Sequence, residues 1–218
     1  CGTPPGELRT RNISPIRPSL PARDPLTERS LATWSAGEYD RIAAGFRREA
    51  RVFVERLGLR RGLDVLDAAC GTGNLTIPAA KSGARVTGFD LVPGLLEIAA
   101  RRSLMDQLWI NFDQGSVEEL PYADAKFDVV LSMFGVMFAA RPERVVAELA
   151  RVTRRGGRVA LANWTPDGFV GKLLKAHAAY APAPPGVPSP LQWGNEGGIR
   201  QLFVAGDFGT VDGVTRRA

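Results

Sequence analysis

Five short apolar runs separated by helical patterns dominate the 218-residue chain from Leu63 onward, at 63–67, 85–90, 109–114, 127–132 and 158–163. Helical patterns fall at 74–82, 94–104 and 142–153, and the 115–126 connection is more loop-like. Strands joined through helices cannot pair as hairpins, so they line up parallel. The alternation predicts a doubly wound, mostly parallel α/β sheet with helices on both faces. Hydrophobic residues make up 44% and charged residues 23%, as in an ordinary globular protein, which excludes collagen, a disulfide scaffold and disorder throughout. The longest nearly apolar run, 129–140, includes Ser132 and falls short of the about 20 residues a membrane-spanning helix needs. No integral membrane segment is expected.

Residues 1–25 are rich in Pro and Arg and poor in apolar side chains, and read as a disordered leader, with an organellar transit peptide as the alternative. Residues 26–218 are expected to form one domain. It would open with a helix over 36–58, started by a capping box at Ser35 and Glu38. Its apolar face would be Tyr39, Ile42, Phe46, Ala50, Phe53 and Leu57. The net charge of +5 resides in residues 1–61, with twelve arginines and seven acids, while the rest of the chain is neutral. A nucleic-acid enzyme carries its basic face on the folded body, so no nucleic-acid partner is expected. The two cysteines, Cys1 and Cys70, do not suggest a structural disulfide, and a reducing cytoplasmic location is expected.

The segment 65–74, VLDAACGTGN, is an apolar strand that ends in Asp67 and runs into a turn with Gly71 and Gly73. Gly permits a ligand to pack directly on backbone. G-x-G alone does not separate a ligand loop from an ordinary strand–helix turn. A dinucleotide fingerprint wants a third Gly where Thr76 stands, and Asp67 would repel a pyrophosphate. An acid at this place suits a ligand with positive charge and no phosphate. The second strand ends in Asp90, where a carboxylate can accept two hydrogen bonds from ribose hydroxyls.

Four segments in this order, VLDAACGTGN, VTGFDLVPGLLEIA, GSVEELPYADAKFDVVLSMFGVMF and RRGGRVALANW, resemble a class I S-adenosylmethionine-dependent methyltransferase. The likeness is to the group similar to ubiquinone and menaquinone C-methyltransferases. It implies a Rossmann-like sheet, S-adenosyl-L-methionine as cofactor and a small, partly apolar acceptor. By position it implies that Asp67, Ala69, Gly71 and Gly73 line the methionine end. Asp90 would hold the ribose, Leu91 would pack on the adenine, and Ser116 and Val117 would face its edge. Ser132 and Phe134 would lie beneath the sulfonium. The segment before the first strand, with Trp34 and Tyr39, would close over the cofactor as a lid.

The sequence departs from the family pattern in three places. Ala69 stands where many members have Gly, and Ser116 where an Asp is common. The family sheet closes with an antiparallel strand pair; here one strand is expected near 209–215 and no other, so that pair would be incomplete. An oligomer contact is possible at the sheet edge this leaves. Methyl transfer from a sulfonium needs alignment more than covalent help. His177, the sole histidine, is the weak candidate for a base. No metal-ligand cluster is visible. The alternative function is a catalytically weak or dead cofactor-binding module, favoured by the shortened end.

Overall fold

The computed structural model describes residues 16–18, 24–205, 208–210 and 212–213. Its sheet has six strands: β1 (Arg17–Pro18), β2 (Asp64–Ala68), β3 (Arg85–Asp90), β4 (Asn111–Gln114), β5 (Phe127–Met133) and β6 (Thr153–Ala162). They lie in the order β1-β4-β3-β2-β5-β6, and every pairing is parallel. The helices are α1 (Pro25–Ser35), α2 (Tyr39–Ala44), α3 (Arg47–Leu57), α4 (Thr76–Lys81), α5 (Pro93–Met105), α6 (Pro142–Val152), α7 (Phe169–Tyr180) and α8 (Glu196–Ala205).

The central strands are buried on both faces, which is why they read as apolar runs rather than alternating ones. On one face Val65, Val86 and Val129 meet Ala50 and Val54 of α3, Ile77 of α4 and Leu96 and Ala99 of α5. On the other, Leu66, Phe89 and Val130 meet Val145, Val146 and Leu149 of α6, with Trp193 and Phe203 beyond them. From β2 the chain winds outward through β3 and β4, then crosses back to β5. That reversal lies between β2 and β5, and open α/β sheets bind ligands at the carboxyl ends of the strands there.

Several expectations need correction. The leader boundary at 25 is too late: residues 17–18 pair with β4, and Asp24 caps α1. The single helix over 36–58 is two helices, α2 and α3, with α1 before them. Ser35 ends α1, and Glu38 stands at the N-cap of α2 without a side-chain cap bond. α2 stops at Gly45 and α3 restarts after Phe46, so Ile42 is 64% exposed and Ala43 is the buried residue. β6 begins five residues before the expected 158, because the Arg-Arg-Gly-Gly segment is an irregularity inside the strand rather than a turn before it. Register passes from Phe127↔Thr153 to Val129↔Arg158, with Arg154 bonded to Asp128 and Asp64.

No antiparallel pair occurs among the described residues. Residues 209–210 and 212–213 form no strand, and 211, 214 and 215 lie outside the described residues. β6 has β5 as its neighbour on one side, so the expected oligomer contact would lie at its other edge. Phe203 packs against Trp193 and Phe208. No helix among the described residues is long and apolar enough to cross a membrane.

Candidate functional site

Above the carboxyl ends of β2, β3 and β5 lies a cleft of two lobes. The upper lobe encloses about 750 Å³ of empty space, part of it open to solvent, within the size of ligand pockets. The lower lobe encloses about 400 Å³. Tyr39, Ala69, Gly71 and Phe134 border both.

The glycine loop follows β2. Gly71 has φ +54, and a Cβ there would lie 3.3 Å from the Tyr39 ring, so the residue must be small for the loop to pass beneath α2. Asn74 ties the loop to α2, donating from Nδ2 to the Ala43 carbonyl at 2.7 Å, and Arg102 of α5 donates to the Asn74 side-chain oxygen at 3.0 Å.

Asp67 and Asp90 flank this loop and are 1% and 7% exposed. Asp90 accepts from the Gly71 amide at 2.7 Å and the Val92 amide at 2.9 Å. Asp67 accepts from the Thr76 hydroxyl at 2.5 Å. Burial raises both carboxyl pKa values. Asp67 is pushed up to about 7, mainly by burial and further by the charge of Asp90, against the opposing Thr76 hydrogen bond. Asp90 rises chiefly through burial, opposed by its backbone bonds. Burial and then the charges of Asp90 and Asp67 raise the Tyr39 hydroxyl, which keeps it neutral.

Of the expected site residues, Tyr39, Ala69, Gly71, Asp90, Leu91, Ser116 and Val117 line the upper lobe, and Asp67 lines the lower. Gly73 and Ser132 line neither. A Cβ on Gly73 would meet the Ala99 Cβ at 3.2 Å, so this glycine serves packing on α5. The buried Ser132 hydroxyl accepts from the Val136 amide at 3.3 Å and steadies the turn after β5. His177 is exposed on α7 and lines neither lobe, so the fold does not bring it to the cleft. No group of three or more His, Cys, Asp or Glu that could hold a metal occurs among the described residues.

Sequence reading missed the outer wall. Leu26, Thr27 and Ser30 of α1 line the upper lobe beside Trp34, opposite Phe138, Ala139 and Ala140. The available signal was the N-cap Asp24 followed by Pro25 and Glu28. Phe46, expected only on the apolar face of a single helix, lines the lower lobe. It joins an aromatic cluster with Phe134 and Trp164, whose rings stack at 3.7 Å.

Ala69 and Phe134 both hold left-handed backbones, at φ 57 and φ 61, next to one another in the cleft wall. A non-Gly residue there costs about 1–2 kcal/mol. Ala69→Gly is therefore expected to stabilise the fold, by about 0.5–1 kcal/mol after the entropy cost of Gly. A Cβ on Gly135 would fall 2.5 Å from the Ala69 Cβ and 2.7 Å from its carbonyl oxygen. Gly135→Ala should cost about 1–3 kcal/mol through this collision. Urea unfolding of both variants checks the opposite signs.

A methyltransferase domain family matches residues 66–161 of the chain. An uncharacterised protein of Mycobacterium tuberculosis is 45% identical over 172 residues, covering 78% of this chain and 63% of the relative. A demethylmenaquinone methyltransferase of Renibacterium salmoninarum is 36% identical over 134 residues, 62% of this chain and 54% of that protein. The solved structure of an S-adenosylmethionine-dependent methyltransferase from Thermotoga maritima shares the fold, with a TM-score of 0.63 at 21% identity over 83% of this chain and 81% of that one. A parallel sheet with acids at the tips of adjacent strands around a Gly loop is the architecture of class I S-adenosylmethionine-dependent methyltransferases. The chain carries a methyltransferase domain of this kind at 66–161, whose cofactor is S-adenosyl-L-methionine. It spans about three fifths of the length of the curated relatives it matches.

Proposed function

We propose that this chain binds S-adenosyl-L-methionine across the two lobes and transfers its methyl group to a small, partly apolar acceptor in the cytoplasm. The observation that carries the reading is electrostatic. Two buried carboxylates flank the Gly71 turn, and no Lys, Arg or His is among the described lining residues of either lobe. Such a place repels phosphates and favours a cationic ligand.

Asp90 would accept the ribose hydroxyls, Leu91, Val92 and Leu95 would cover the adenine, and Ser116 and Val117 would meet its edge. Asp67 would face the ammonium of the methionine end. When bound, the cofactor supplies an electrophilic methyl on a sulfonium. The chain's part is alignment and exclusion of water, which can lower a barrier by about 7–11 kcal/mol when two reactants are held in line. Phe134 borders both lobes and would stand beside the transferred methyl. Leu26, Trp34 and Phe138 make the acceptor side of the upper lobe apolar, which suits an uncharged acceptor surface. Tyr39, held neutral, would position rather than remove a proton. α1 and α2 together would act as the lid.

Calorimetry with S-adenosylhomocysteine and with NAD tests the cofactor. Binding of the first and not the second is expected; the reverse preference would sink the reading. A methyl-transfer screen with labelled S-adenosylmethionine over neutral aromatic and aliphatic acceptors tests the activity. Nothing in the site favours a catalytically dead module.

A further inference from the structure

α1 has no buried residue, yet it forms the outer wall of the upper lobe. A helix without a buried face is not held by core packing. At its carboxyl end Trp34 meets Tyr39 and Phe138 edge-on, at ring distances of 5.6 and 4.9 Å. At its amino end the contact is ionic. Arg141 grips Asp24 with two parallel bonds, Nη1 to Oδ2 at 2.9 Å and Nη2 to Oδ1 at 2.8 Å. Asp24 is also the N-cap of α1, accepting from the Thr27 amide at 3.1 Å and the Thr27 hydroxyl at 2.9 Å.

The same arginine holds a second carboxylate. Its Nη1 donates to Glu118 Oε2 at 2.7 Å, and its backbone amide donates to Glu118 Oε1 at 2.9 Å. Glu118 lines the upper lobe, as do Ala139 and Ala140 immediately before Arg141. One guanidinium therefore joins three walls of the cleft: α1, the segment after β4 and the segment after β5. The three side chains are partly desolvated, with 26% exposure for Arg141, 27% for Asp24 and 8% for Glu118. Planar, two-pronged pairing of this kind fixes orientation as well as distance.

We propose that Arg141 is a positioning residue that clasps α1 over the cleft through Asp24, and that ligands enter and leave by opening this clasp. The proposal rests on the reading that the cleft holds S-adenosylmethionine. The Arg141–Glu118 contact is the fixed half. It includes a backbone bond and is the more buried, and Arg141 is anchored as the residue preceding α6. The Arg141–Asp24 contact is the half that opens. Its partner belongs to a helix with no core face, so breaking it frees α1 without disturbing the sheet.

The test uses the full chain, unliganded and with S-adenosylhomocysteine, in Asp24→Asn, Arg141→Ala and Arg141→Lys. Asn retains an N-cap acceptor for Thr27 but removes the charge. Hydrogen exchange at 28–34 should accelerate about tenfold in Asp24→Asn and Arg141→Ala, with β2–β5 unchanged. S-adenosylhomocysteine should both associate and dissociate several-fold faster, and Arg141→Lys should restore part of its residence time. Loss of a merely structural arginine would not speed passage in both directions. Unchanged α1 exchange in both variants overturns the clasp, and so does an unchanged dissociation rate where the wild type binds. If the wild type does not bind S-adenosylhomocysteine, the cofactor reading fails instead, and unliganded exchange alone decides the clasp.

Discussion

Asp90→Ala is expected to weaken S-adenosylhomocysteine binding by roughly 30- to 1,000-fold, a loss of about 2–4 kcal/mol. Each Asp90 oxygen already accepts one backbone amide, from Gly71 and from Val92. A carboxylate oxygen has two acceptor sites, so one on each remains for the two ribose hydroxyls. Alanine removes these charge-assisted bonds and strands the Gly71 and Val92 amides in a buried place. Loosening of the Gly71 turn would then add to the loss. Asp90→Asn keeps the volume, but its amide nitrogen cannot accept from a backbone donor, so it should bind almost as poorly. Calorimetry gives the affinity, and urea unfolding separates it from any change in stability. Unchanged affinity in Asp90→Ala would show that the ribose lies elsewhere.

The sheet was legible because burial on both faces leaves an apolar run whatever the tertiary detail. β3 falls at 85–90 as expected, bounded by Gly83 and Pro93. The N-terminal region was harder for a physical reason. No residue of α1 is fully buried and its half-buried face mixes Leu26, Leu31 and Trp34 with Thr27 and Ser30, so it leaves only a weak apolar period, and its place depends on Asp24 and Arg141, 117 residues apart. Tyr39 to Leu57 keeps helical spacing across a real break at Gly45, since spacing cannot register a change of axis. The irregular start of β6 depends on Arg154 reaching Asp128 and Asp64, contacts between distant segments that no local pattern carries.

The site was legible where backbone geometry imposes the residue type and misread where one type serves two purposes. Gly71 and Asp90 stand where a turn beneath α2 and a strand tip demand them. Gly73 looks identical in sequence, yet its missing Cβ makes room for Ala99. His177 attracted notice as the sole histidine, and composition has no bearing on which face of the fold a residue occupies.

Affinity for S-adenosylhomocysteine should rise about tenfold per pH unit between pH 5 and pH 7 and then level off, for a total of about 100-fold. The group responsible is Asp67, whose carboxyl is pushed up to about 7 mainly by burial. Below that pH it is neutral in the unliganded protein, while an ammonium ligand requires the carboxylate. The ionised fraction at pH 5 is roughly one in a hundred, which sets the size of the effect. The unliganded fold responds with the opposite sign. An unfolded Asp titrates near about 3.9, so between about pH 4 and pH 7 the folded state holds the proton more tightly. Stability without ligand should therefore fall as pH rises through that window and stay level above it. Asp67→Asn should abolish this contribution to both slopes, binding weakly at every pH but unfolding no more readily at pH 8 than at pH 5 on account of this site. A wild-type affinity that is flat from pH 5 to pH 7.5 would refute the assignment of Asp67 to the ammonium. If the profile is steep and survives in Asp67→Asn, the titrating group is the other raised carboxyl, Asp90.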